Sequence, residues 1–168
     1  MKTHFAYKPK IQPLPRTLFL EFKERGFYKM ITTKEPRVVG FMDAEPRKID
    51  GKNFFHIFLL YIKEQRKGFG KEFIDFAKNM SKQRDCEGRL FLLAEKEVLD
   101  AEKPPHIFYR KQGFTTSDKK YLRVIDRFIK ENKEMENKDS KPIYMYYIPE
   151  KLTFLQKVHL RLKEFFKL

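Results

Sequence analysis

The sequence predicts an α/β domain of the α+β kind, with a mixed, mostly antiparallel central sheet flanked by helices. Three observations carry this expectation. From Phe27 the chain runs through short apolar segments separated by turn residues, the pattern of an antiparallel meander. A helical pattern then lies between two apolar runs, which makes those two runs parallel neighbours in one sheet. With 168 residues, 41% of them hydrophobic and 15% aromatic, including 18 Phe, the chain can bury a core of its own although 36% is charged.

The elements follow in order. The entry, MKTHFAYKPKIQPLPRTLFL, carries Pro9, Pro13 and Pro15 and reads as extended or irregular, while Arg16 to Arg25, stopped by Gly26, reads as a short helix with a glycine at its C-terminal end. FYKMITT, the turn KEP, RVVGFMDAE, the turn PRKIDGKN and FFHIFLLYI then give three antiparallel strands. The third run, Phe54 to Ile62, is almost wholly apolar, as expected of a central strand covered on both faces. Phe69, Phe73, Ala77 and Met80 recur at helical spacing, with Lys71, Glu72, Asp75 and Lys78 opposite. RLFLLAE, Arg89 to Glu95, is the next strand, reached by this crossover and so parallel to Phe54–Ile62.

A second helix starts near Pro104 or Pro105 and stops at Gly113. Tyr121, Leu122, Ile125, Phe128 and Ile129 form a further helical stripe, ENKEMENKDSK is a loop and PIYMYYI a final strand. Glu150 to Leu168 closes the chain as an extra amphipathic helix, with Leu152, Leu155, Val158, Leu162, Phe165 and Phe166 in one stripe and Lys157, Arg161, Lys163 and Lys167 outside it. The expected organisation is a single domain over 1–168, with its core at about 27–148 and the closing helix at about 150–168. Six large apolar groups in water are a liability, so the stripe is expected to dock on this protein or, in a homodimer, on a twin subunit; an anionic membrane is the other surface such a helix fits.

A formal net charge of +14 favours phosphates, nucleic acid, anionic lipid or an acidic partner without choosing among them. The single cysteine, Cys86, cannot form an internal disulfide and reads as an inert thiol, and no Cys/His cluster has metal-ligand spacing. The absence of a signal-like or membrane-spanning apolar run gives the expectation of a soluble cytoplasmic protein without a metal.

The most informative stretch is Lys63 to Phe73, KEQRKGFGKEF. Its KGFG could open the RNA-binding strand of an RNA-recognition motif, but Lys71 and Glu72 stand where base-facing residues would be, and the spacing that follows is near 3.6 rather than 2. The stretch is therefore a strand-to-helix turn. Gly68 and Gly70 leave backbone amides bare at the positive end of a helix, as a phosphate site requires, although a turn that binds nothing has the same sequence.

Gln65-x-x-Gly68-x-Gly70, after an apolar strand and before a helix, resembles the acyl-CoA pyrophosphate motif of the GNAT N-acyltransferases. Phe108-Tyr109-Arg110-Lys111-Gln112-Gly113-Phe114 is similar to that family's L-Y-x-K-x-G-F, and Arg37-Val38-Val39-Gly40-Phe41-Met42 resembles the strand before its central one. The likeness covers roughly Phe27 to Ile148. It departs at Glu102 and Pro105, where the family has asparagine and alanine, and in an N-terminal part shorter than the usual strand plus two helices.

The resemblance implies an acetyltransferase of the EC 2.3.1 type that uses acetyl-CoA as co-substrate and an unidentified amine as acceptor, the amine attacking the thioester directly. The amides of Arg66, Lys67, Gly68, Phe69, Gly70 and Lys71 would hold the pyrophosphate with Gln65 at the head of the turn, and Leu60 and Ile62 would line the cofactor along the strand, the Leu60 amide at the thioester carbonyl. Tyr109 would protonate the departing thiolate; otherwise it is a core aromatic whose hydroxyl caps a carbonyl. Deprotonating a lysine-like amine costs about 4 to 5 kcal/mol at pH 7. His56, which shares the parity of Leu60 provided no bulge intervenes, is the candidate base or water relay, or else a core histidine; Asp43 and Glu45 are weaker candidates. The alternative function is a non-catalytic GNAT-fold module that holds nucleic acid or another anionic partner on its basic surface.

Overall fold

Thr17–Phe22 (TLFLEF) alternates strictly, with Thr17 buried, Phe19 half-buried, and Leu18, Leu20 and Phe22 exposed. A period of two makes a strand, β1, where the sequence read a short helix over Arg16 to Arg25. The pairing explains the correction: β1 is antiparallel to β2 (Phe27–Thr32) along its whole length, from Thr17–Thr32 to Phe22–Phe27. The chain is described here by a computed structural model covering residues 15–22, 26–95 and 103–149. Glu150 to Leu168, expected as an amphipathic helix, lie outside the described residues.

The expected meander is present as β2, β3 (Val38–Ile49) and β4 (Lys52–Ile62). PRKIDGKN is not all turn. The reversal is confined to Asp50 and Gly51, at φ 47° and 76°, the double left-handed geometry that suits a two-residue hairpin. Pro46 sits inside β3 without harm because that half of the strand pairs only with β4 among the described residues, so no described neighbour misses its N–H.

After β4 come α1 (Phe69–Gln83), β5 (Leu90–Ala94), α2 (His106–Lys111), α3 (Lys119–Lys130) and β6 (Ile143–Tyr147), each where the sequence placed it. The six-stranded sheet keeps chain order, β1 to β6, with β4 and β5 parallel and the other neighbouring pairs antiparallel. The fold is thus α+β with a mixed sheet.

Register assigns the two faces. Met42, Ala44, Phe55, Ile57, Leu90, Leu92 and Met145 share one face and are buried there under α1, whose Phe69, Phe73, Ile74, Ala77 and Met80 point at them. Phe19 joins from β1, stacking on Phe76 at 4.1 Å and meeting Phe73 edge-on at 5.3 Å. The opposite face is less covered than expected of a strand buried on both sides: Phe58 of β4 is 44% exposed.

His106, the first residue of α2, is fully buried; its Nε2 donates to the Lys141 carbonyl at 2.8 Å, and its ring stands edge-on to Tyr121. Burial holds its pKa below the usual imidazole value, so it is neutral at pH 7. An unfolded chain then binds a proton the folded one refuses, and stability is lost as pH falls below about 6.5. Urea unfolding at pH 7 and 5.5 should show this loss, and His106→Gln should reduce it. At the centre of the core, Phe73→Ala should cost about 3–5 kcal/mol in the same assay, because the ring is wholly buried.

Candidate active site

The parallel pair is short. β4 and β5 run together only through Phe55–Leu90, His56–Phe91 and Ile57–Leu92, after which β4 continues to Ile62 and no described residue pairs with it on the β5 side. The sheet therefore opens between its two parallel strands.

The opening coincides with a bulge. Asp43 pairs with Leu59 and Ala44 with Ile57, so Phe58 is an inserted residue. Its effect can be read from two backbone bonds on either side. Phe55 N donates to Arg89 O, toward β5, at 3.0 Å, whereas Lys63 N donates to Val39 O, toward β3, at 2.9 Å. Amides alternate along a strand, so unbroken alternation would send both odd-numbered amides the same way. With Phe58 inserted, Leu59, Tyr61 and Lys63 point to β3, and the amides of Leu60 and Ile62 point into the opening.

The turn from β4 into α1 lies directly beyond. Arg66 and Gly68 are both left-handed, at φ 61° and 83°. Among the described residues no carbonyl accepts from the amides of Arg66, Lys67, Gly68, Phe69, Gly70 or Lys71; the first helical bond is Glu72 N to Gly68 O at 3.2 Å. Consecutive bare amides at a helix N-terminus form an anion-holding concavity. The side chains add Lys71, kept charged by its hydrogen bond and attraction to Asp75, and Lys67, paired with Glu64 at 2.8 Å. Gln65 is exposed at the head of the turn, and no side-chain hydrogen bond involves it among the described residues.

The two glycines have different reasons. Gly68 serves its positive φ. Gly70 serves close packing, since a Cβ there would stand 3.0 Å from Cζ of Phe108. That contact seats α2 on the first turn of α1 and brings its Tyr109 beside the same region. Tyr109 is buried against Phe108 and Phe114, and its hydroxyl has no hydrogen-bond partner among the described residues. Burial raises its pKa well above the usual phenol value, so at pH 7 it carries a proton it can give.

The bulge corrects the placement of His56. It pairs with Glu45 and Leu60 with Met42, so the two side chains occupy opposite faces. Four residues at ~3.3 Å each also put it roughly 13 Å along β4 from Leu60, beyond direct hydrogen-bond reach. Its ring packs on Phe58 at 4.1 Å and Phe91 at 5.2 Å, its Nδ1 is buried without a partner, and burial, then the charge of Arg47, holds its pKa low. The acidic side chain nearest the bulge is the half-buried Asp43, opposite Leu59, while Glu45 is exposed and paired with Arg47.

Sequence reasoning missed Arg16. From the start of β1 it donates to the Lys67 carbonyl at 2.7 Å, lies over the Phe69 ring at 4.2 Å and faces Glu72 at 3.5 Å. With Thr32, Thr33, Lys34, Arg37 and Lys67 it lines a cleft of about 840 Å³ beside the turn. No local pattern marks a residue that acts across the sheet in this way. Among the described residues no group of three or more His, Cys, Asp or Glu side chains is placed to hold a metal ion.

No family model and no curated protein matches the chain. Solved structures do. The NatB acetyltransferase complex bound to a bisubstrate inhibitor aligns with a TM-score of 0.48 at 16% identity over 75% of this chain and 70% of that one. Tetrahymena GCN5 aligns at 0.44 and 17% identity, over 74% and 69%. Arabidopsis thaliana Naa50, in complex with the bisubstrate analogue CoA-Ac-MVNAL, aligns at 0.40 and 18% identity over 56% of this chain and 60% of its own length, so this chain spans less than two thirds of it. The described residues of this chain themselves form a mixed sheet in chain order, opened at a bulge along a parallel pair and followed by a bare-amide turn and a covering helix.

Proposed function

We propose that the protein is an acetyl-CoA-dependent N-acetyltransferase. One observation carries the reading: outward-facing amides of Leu60 and Ile62 in the strand opening lead directly to the bare amides of Arg66 to Lys71. An acyl thioester on a long arm ending in a pyrophosphate needs those two features in that order, hydrogen-bond donors at the carbonyl and a concavity for the phosphates.

In this reading the Leu60 amide polarises the thioester carbonyl, the amine nitrogen attacks the carbonyl carbon, and a tetrahedral intermediate forms. Its collapse breaks the C–S bond. The thiolate takes the Tyr109 proton, and the new amide has shed the proton of the amine. Burial keeps Tyr109 protonated at neutral pH, so that it holds a proton when the thiolate leaves beside it. The proton of the amine does not pass directly to His56, which shares the face of Asp43 but lies roughly 13 Å along β4 from Leu60; a water chain, or Asp43 beside the bulge, is the route we infer.

Acetyl-CoA should raise the melting temperature of the protein. Lys71→Glu, an exposed change in the first turn of α1, should weaken acetyl-CoA binding by about tenfold or more by turning an attraction on the phosphates into a repulsion. Titration calorimetry of the unchanged protein and the variant checks this; equal affinity would remove the turn from the site. Tyr109→Phe should leave acetyl-CoA affinity nearly intact and lower kcat by roughly ten- to a thousand-fold, because an acid acts on the leaving group and not on the bound ground state. Free-thiol release across an amine panel measures it, and wild-type turnover would return Tyr109 to packing alone.

A further inference from the structure

On the sheet face turned away from α1 an apolar patch spans β4, β5 and β6, separated from the apolar β1 edge by Asp43, Glu45 and Arg47 of β3, and among the described residues no helix packs on it. Leu18 and Leu20 lie on that face at the β1 edge, Phe58 near its middle, and Phe91, Leu93 and Tyr144 toward the β6 edge, by the same register that puts their neighbours under α1. Tyr144 is 56% exposed although it stacks on Phe91 at 5.1 Å. The helices are accounted for elsewhere: α1 packs on β3, β4 and β5, α2 on α1, and α3 on α2. The link from β1 to β2, residues 23–26, is too short to supply a helix.

An exposed apolar patch of this kind needs a cover. We propose that residues 150–168 of the same chain supply it, seating the stripe Leu152, Leu155, Val158, Leu162, Phe165 and Phe166 on this face and leaving the intervening lysines and arginine in water. Position and length both fit. β6 is the last strand of the sheet, and the chain leaves it through Pro149, beside Gly88 at the foot of β5. That foot is the end away from the opening, so a cover started there crosses Phe91 and Phe58 without having to enter the opening. The patch crosses three strands about 4.8 Å apart, ~10 Å in all, and a helix over 150–168 at 1.5 Å per residue would be ~28 Å long, enough to cover it. The inference does not depend on the acetyltransferase reading.

The chain contains no Trp, so Phe165→Trp in the full-length protein gives a single reporter. Without lipid, its emission should be blue-shifted and its acrylamide quenching at least ~3-fold weaker than that of free tryptophan, with no dependence on protein concentration. Adding Leu93→Asp and Tyr144→Asp should move the emission to the red and restore quenching while the circular dichroism of the sheet is kept. Tyr144→Ser, a milder change at an exposed position, carries the same readout if the double change unfolds the chain. Free-tryptophan behaviour in the first variant would overturn the proposal. So would protection that grows with protein concentration, which assigns the face to a second copy, or protection seen only with phosphatidylglycerol vesicles, which assigns the segment to a membrane.

Discussion

One inserted residue, Phe58, decides which way the second half of β4 presents its amides. Before it, β4 bonds β5 through Phe55; after it, the same strand bonds β3 through Lys63, and both residues are odd-numbered. Only an added residue reconciles the two. The insertion frees the Leu60 and Ile62 amides at the point where β5 stops pairing, and it keeps the Leu60 side chain on the α1 face, packed against the core. It also separates His56 from Leu60. An unbroken strand would have kept those two side chains on one face and bonded the Leu60 amide to β3. The open amide and the shared face are therefore mutually exclusive in this sheet.

The second constraint is the contact of Gly70 with Phe108, which couples the bare-amide turn to the helix bearing Tyr109. On its other side α2 is held by Arg110, which donates to Asp126 at 2.7 Å and to the Phe114 carbonyl at 3.2 Å. Tyr109 thus stands between a residue fixed on α1 and a residue fixed on α3. Its own hydroxyl need make no bond within the described residues to be placed, which leaves it available to a substrate.

Most of the fold was legible because periodicity changes cleanly along the chain: two in the strands, near 3.6 after Gly68, and a crossover that forces β5 parallel to β4. The failures have physical reasons. TLFLEF alternates for only six residues and is followed by charges and a glycine, a sequence that also ends a helix; its state is set by the non-local pairing with β2. Pro46 looked like a turn because a proline is tolerated within a strand only where one neighbour is missing, and a missing neighbour is not a local property. The bulge was invisible because FFHIFLLYI is apolar almost throughout, so there is no alternation in which an extra residue would show. For the site, the turn was read from its glycines and the change of period, and the role of Tyr109 from the family resemblance, while the position of His56 depended on that hidden bulge. Arg16 meets Lys67 at a separation of 51 residues, which no local pattern encodes.

The two sides of the sheet at the opening also differ in chemistry, as the proposed reaction requires of its donor and acceptor. On the α1 side of the opening lie the bare amides with Arg66, Lys67 and Lys71, all suited to a polyanion. On the other side the strands present Phe41 and Tyr61, 4.9 Å apart, with Asp43 half-buried next to them opposite Leu59. Aromatic faces and a carboxylate suit a cation, the form in which an alkyl amine arrives at neutral pH. Because β1 returns to β2 through residues 23–26 alone, the described part of this second wall is made of strand side chains, and their identity, more than the length of any loop, would set what the opening admits from that side.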